Sequence, residues 1–190
     1  MFKAWPKIPR YENESVVITE KLDGTNACVV VESSVNLVVE PPVTPLVTLK
    51  LPDKYIHIWA QSRTRLITPS DDNYGFAKWV VQNQEELANL GDGYHYGEWW
   101  GSGIQRNYGM DKKVFSLFNV GRWKADNTPN CCSLVPILYT GRMHDELIDV
   151  IKTDLSMHGS FATPHKYMRP EGMVIYYTQS KTYQKVIIDK

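Results

Sequence analysis

Thr19-Glu20-Lys21-Leu22-Asp23-Gly24-Thr25-Asn26 is the stretch around which this chain is organised. Val16, Val17 and Ile18 lead into it as a short apolar strand, and Ala27 to Val31 leave it as a second strand, rich in β-branched residues. Between them stands one lysine, followed by Asp-Gly, the dipeptide that most readily makes a tight turn. A lysine at such a boundary is placed where its ammonium can lose solvent, and a desolvated lysine can act as a nucleophile. The competing reading is an ordinary solvated hairpin lysine. The segments that follow decide between the two.

Working outward, 190 residues suffice for one domain with a proper core. Basic and acidic residues balance at 21 each, so the footprint of a strongly basic nucleic-acid binder is absent. Six Trp and 11 Tyr supply aromatic platforms as well as packing. Cys28, Cys131 and Cys132 give neither a disulfide framework nor a metal spacing, which suits a reducing cytoplasm. The first residues lack the apolar core of a signal peptide, and no apolar run approaches membrane-spanning length.

The first 15 residues, with Pro6 and Pro9, read as an irregular lead-in, and residues 36–40 as a further strand. Pro41, Pro42, Pro45 and Pro52 mark a loop or protruding hairpin. Ile56 to Gln61 alternates as a half-buried strand and delivers Ser62-Arg63-Thr64-Arg65 at its end. Phe76, Trp79, Val80, Leu87 and Leu90 predict a helix over 72–90, capped by Asp71 or Asp72 and stopped by Gly91. Strands are expected over 95–100, 114–120 and 134–139. A second helix is expected over 144–157, with Leu147, Val150, Ile151 and Leu155 on one side and Gly159 as its stop. Met173 to Tyr177 and Tyr183 to Ile188 close the chain as strands. Strands interrupted by two helices, with no regular βαβ alternation, predict an α+β fold on antiparallel sheet.

Familiar phosphate loops are missing. Gly101-Ser102-Gly103 opens like a dinucleotide fingerprint, but Arg106 stands in the third glycine's place, and no Walker-type loop is present. A nucleotide bound here must be held by Lys21 and by separate strand-borne residues. Lys21-Leu22-Asp23-Gly24 resembles the nucleophile motif of the covalent nucleotidyltransferases, which comprise ATP-dependent RNA and DNA ligases and mRNA capping enzymes. With Glu20 and Thr25-Asn26 it is most similar to RNA ligases of the RNA-editing and phage type. Five more stretches resemble that family's motifs and follow its order: Ser62-Arg63-Thr64-Arg65, Tyr96-Gly97-Glu98-Trp99, Phe115 to Asn119, Pro170-Glu171-Gly172-Met173-Val174 and Tyr183-Gln184-Lys185-Val186.

The resemblance implies a single adenylation domain over residues 1–190, ATP-grasp-like in its sheets and without an OB-fold appendage. It implies that Lys21 attacks the α-phosphate of ATP, forming lysyl-AMP, and that AMP then passes to a 5′-phosphate before a 3′-hydroxyl seals the strand. A lysine of ordinary pKa, about 10.4, is neutral in only about 1 molecule in 10³–10⁴ at pH 7. A nucleophilic one therefore calls for burial and a nearby cation, for which Lys185 is the candidate. Glu171 is the expected ligand of Mg²⁺ or Mn²⁺, and Glu98 the acceptor from a ribose hydroxyl. Arg63, with Arg65 as fallback, is expected on ribose or phosphate, and Phe118 against the adenine. Thr19 and Glu20 would offer backbone groups to the base, and Asn26 a side chain near the phosphate.

The family's last motif carries two lysines separated by one residue. Here Tyr183 and Ile187 stand two residues to either side of Lys185, so one cation is missing or is replaced by Lys181 or Lys190. Larger members continue into an OB-fold or helical domain, so a separate protein supplying such a domain is a candidate partner, beside ATP and RNA or DNA strand ends. Two other readings stay open: a capping-type guanylyltransferase and a non-catalytic module that binds nucleotides or RNA ends.

Overall fold

The structure, a computed structural model, describes residues 14–35 and 44–188. Most of the expected lead-in and the strand expected over 36–40 lie outside these residues. The strands are, in chain order, β1 (Ser15–Lys21), β2 (Thr25–Ser34), β3 (Val47–Lys50), β4 (Tyr55–Ser62), β5 (Leu66–Ile67), β6 (Gly93–Gly101), β7 (Lys113–Leu117), β8 (Cys132–Leu134), β9 (Ile137–Arg142), β10 (Gly172–Tyr177) and β11 (Thr182–Ile187). The α-helices are α1 (Phe76–Gln82), α2 (Gln84–Leu87) and α3 (Leu147–His158). The chain forms two compact units, one from residues 1–22 and 136–190, the other from residues 23–135.

In the first unit, four strands pair in the order β11-β10-β1-β9, each antiparallel to its neighbour. One face of this sheet carries Val16, Ile18, Met173, Ile175 and Tyr177, which pack with Leu147, Ile151 and Leu155 of α3. The spacing of those three helical residues makes the narrow apolar stripe that such a contact needs. Val150, expected on the same side, is exposed because it falls off the edge of the stripe. Gly159 ends α3 as expected, at φ 74°.

In the second unit, the order is β3-β4-β2-β6-β7-β8, with β5 added beside β4. Neighbours are antiparallel except β7 and β8, which run parallel, a departure from the expected all-antiparallel pairing. The proline-broken segment ahead of residue 55 contributes β3, which forms a hairpin with β4. Ala27, Val29 and Val31 alternate onto the core face, joined there by Ile56, Ile58 and Ala60. They bury against Phe76, Ala77, Val80, Leu87 and Leu90.

The helix expected over 72–90 is in fact α1, α2 and a terminal 3₁₀ turn over Ala88–Leu90. The break falls at Asn83, whose φ of −114° and ψ of 19° leave the helical region although its backbone N–H still donates to the Trp79 carbonyl. Asp72 does act at the start of α1: its carboxylate accepts from the backbone N–H groups of Ala77 and Lys78. The strand expected over 134–139 divides into β8 and β9, which belong to different units. Pro136, lacking an N–H for the ladder, lies at the interruption.

Candidate active site

Lys21 is the last residue of β1, where it lies opposite Gly172 of β10. Its ammonium donates to Glu171 Oε2 at 2.6 Å, with the lysine side chain 27% and the glutamate 16% exposed. Two residues separated by 150 positions thus meet because β1 and β10 pair. Gly172 makes the meeting possible: its φ is +154°, and a Cβ there would stand 2.0 Å from the Val186 carbonyl oxygen.

Thr19, Val174 and Lys185 form one cross-strand row, and Lys21 lies two residues along from Thr19. All four side chains therefore occupy the sheet face opposite α3. The Cα of Lys185 lies two strands and two residues from that of Lys21, roughly 12 Å by sheet spacing. The group in contact with the Lys21 amine is thus a carboxylate, where the sequence reading places a cation. A carboxylate at this distance forms an ion pair with the ammonium. Attack by the amine requires the pair to open.

Glu20 points to the other face. It is 1% exposed, its Oε2 accepts from the Phe161 backbone N–H at 2.8 Å, and its own N–H donates to the Pro136 carbonyl. Burial raises the Glu20 carboxyl above its ordinary value of 4.5, while hydrogen bonds from Ser160, Phe161 and Ala162 pull it back in part. A raised acid pKa means that the folded chain binds more protons than the unfolded chain between the two values. Stability should therefore rise as pH falls toward 4.5. Glu20→Gln, which has no proton to take up, is expected to lose that gain. Denaturant midpoints at about pH 7 and about pH 5 for both proteins measure it.

The second unit carries the remaining expected residues. Glu98 Oε1 accepts from the Gly24 N–H at 3.0 Å and Oε2 from the Asn26 amide at 3.1 Å. Asn26, Arg63 and Phe118 border one open groove of about 280 Å³, together with Cys28, Gln61 and Tyr96. Phe115 and Leu117 are wholly buried, whereas Phe118, just past the end of β7, is 40% exposed at this groove. Arg65 is held by both oxygens of Asp71, while Arg63 carries no ion pair among the described residues. The expected first choice of arginine is the one that faces the groove.

The sequence reading missed a clamp on the turn after Lys21. The Asp23 N–H donates to the Tyr108 hydroxyl at 2.9 Å, and Arg106 Nε donates to the Asp23 carboxylate at 2.9 Å. Gln105, Asn107 and Tyr108 all adopt positive φ to bring these groups round. Arg106 was visible only as the residue that spoils a dinucleotide fingerprint, so nothing in the sequence pointed to Asp23.

The pattern of the RNA ligase family matches residues 14–188, and the chain belongs to that family. Solved structures of a Naegleria gruberi RNA ligase share the fold. A mutant with ATP and Mn superposes with a TM-score of 0.59 at 20% identity. The ligase with PPi gives 0.58 at 18%, and a mutant with AMP and Mn 0.57 at 18%. Each match covers 93% of this chain and 50% of the Naegleria chain, so the protein described here spans half the length of these relatives. No curated protein matches it significantly. Among the described residues, no helix is long and apolar enough to cross a membrane.

Proposed function

We propose that the protein is an ATP-dependent RNA ligase acting through a lysyl-AMP intermediate. The observation that carries this reading is the pairing of Lys21 with Glu171 inside a family match that spans both residues. Once its ammonium has given up a proton, the Lys21 amine forms an N–P bond to the α-phosphorus of ATP, and the P–O bond to pyrophosphate breaks. An RNA 5′-phosphate then takes AMP from the lysine, and a 3′-hydroxyl displaces AMP to close the strand.

No cluster of three His, Cys, Asp or Glu side chains occurs among the described residues. A hard divalent cation in a nucleotide site is held mostly by phosphate and water, with one or two carboxylates. Glu171 would hold Mg²⁺ or Mn²⁺, which would neutralise phosphate charge. Lys185, on the same sheet face as Lys21, would also face the phosphates. Arg63 and Asn26 would orient the ribose and phosphates, Glu98 would accept from a ribose hydroxyl, and backbone groups of Thr19 and Glu20 would meet the base.

Intact mass after incubation with ATP and a divalent cation tests the reading. An acid-labile AMP adduct is expected, together with joining of 5′-phosphorylated RNA. An unmodified mass across metals and pH would favour a non-catalytic nucleotide-binding module instead. Phe118→Ala is expected to weaken ATP binding by ~1–3 kcal/mol, the worth of one base–aromatic stack. Its exposed ring should leave the melting temperature nearly unchanged, and titration calorimetry beside thermal unfolding separates the two effects.

A further inference from the structure

We propose that Tyr94 and Tyr96 form a stacking platform for bases of single-stranded RNA beside the nucleotide groove, a proposal that rests on the ligase reading above. Both residues lie on β6 and, by register, share the sheet face of Cys28 and Val30, opposite the core. Tyr94 is 62% and Tyr96 52% exposed, so neither ring is spent on packing. The rings are near-parallel, 6.1 Å between centroids and 14° apart in plane. Tyr96 also lines the groove that holds Phe118 and Arg63, so the platform continues that groove outward along the strand.

Successive aromatic faces beside an unpaired cation are what a single strand requires, because every base has a π-face and every phosphate a charge. The row beyond Tyr94 changes character. Glu32 is exposed there, and Asp92 accepts from Ser33. Phosphates are repelled from that end, which limits the platform to the two tyrosines. The occupant is therefore a short unpaired segment of an RNA strand, since a duplex offers its bases to no side-chain stack.

The test is anisotropy of a labelled, 5′-phosphorylated oligouridylate of about ten nucleotides, within the site sizes known for stacking grooves, at low salt with the intact protein. Tyr94→Ala is expected to weaken binding about fivefold or more, and Tyr94→Phe to restore it. An abasic oligomer should bind the parent and Tyr94→Ala alike. Equal oligouridylate affinity for the parent and Tyr94→Ala would overturn the platform. So would an equal loss with the abasic strand, or a change of oligomeric state in Tyr94→Ala on sedimentation.

Adduct formation with ATP is read separately on the parent. An adduct with Tyr94-independent RNA binding overturns the platform and keeps the ligase reading. Tyr94-dependent binding without an adduct does the reverse.

Discussion

Lys21→Ala is expected to form no AMP adduct with ATP, a loss of at least about a thousandfold, the scale on which removal of a nucleophile acts. The reason is local. The amine stands at the end of β1 with one face partly dry and one carboxylate in contact, and no other described lysine shares that carboxylate. Lys21→Arg should be as inert, because a guanidinium stays protonated and cannot become a neutral nucleophile. Both variants should keep the parent's circular dichroism, since β1 is held by pairing with β9 and β10 and by Val16 and Ile18 in the core. An adduct that persists in either variant would move the nucleophile elsewhere and end the assignment.

Gly24→Ala should produce the second largest effect, acting on fold and chemistry together. A Cβ at this position would stand 2.4 Å from the Trp99 carbonyl oxygen and 2.7 Å from the Trp100 Cβ. Neither neighbour can yield cheaply, because both tryptophans are buried and Trp100 is locked by its indole N–H on Ser116. The turn must shift instead, stretching the Gly24 bond to Glu98 and the Asp23 bonds to Tyr108 and Arg106. Overpacking of this kind costs about 1–3 kcal/mol or more of stability. A displacement of about 1 Å so close in sequence to Lys21 should lower the rate of adduct formation on the order of a hundredfold. Urea unfolding and single-turnover labelling measure the two parts. Parent-like values in both would show that the turn has room that the structure does not give it.

Much of this was legible in the sequence because strand alternation and glycine placement are local signals. Lys21 closes β1 ahead of the Asp23-Gly24 turn, Glu98 follows Gly97 within β6, and Glu171 immediately precedes Gly172 at the start of β10, all of which a single chain displays openly. Two element boundaries depart from the expected ones, each for its own reason. Whether residues 72–90 make one helix depends on the backbone dihedrals of Asn83, which apolar spacing does not reveal. Whether residues 134–139 make one strand depends on which sheet each half joins, and that is settled by partners distant in the chain. The contact between Lys21 and Glu171 was out of reach for the same reason. Both residues were named, but only the β1–β10 register brings the acid onto the amine. Val150 shows the limit on the helical side: the stripe on α3 is narrower than a list of apolar residues suggests.

The order in which the chain leaves a ribosome meets an asymmetry in its topology. Residues 23–135 are contiguous and can collapse as soon as they emerge, whereas β1 ends at residue 21 and finds its first strand partner only from residue 137. Sheet contacts so remote in sequence form late. The Lys21 amine, the nucleophile of the proposed mechanism, is therefore made before residues 23–135 yet acquires its setting after them, so a product cut short before residue 137 would carry that amine without the strands that flank it.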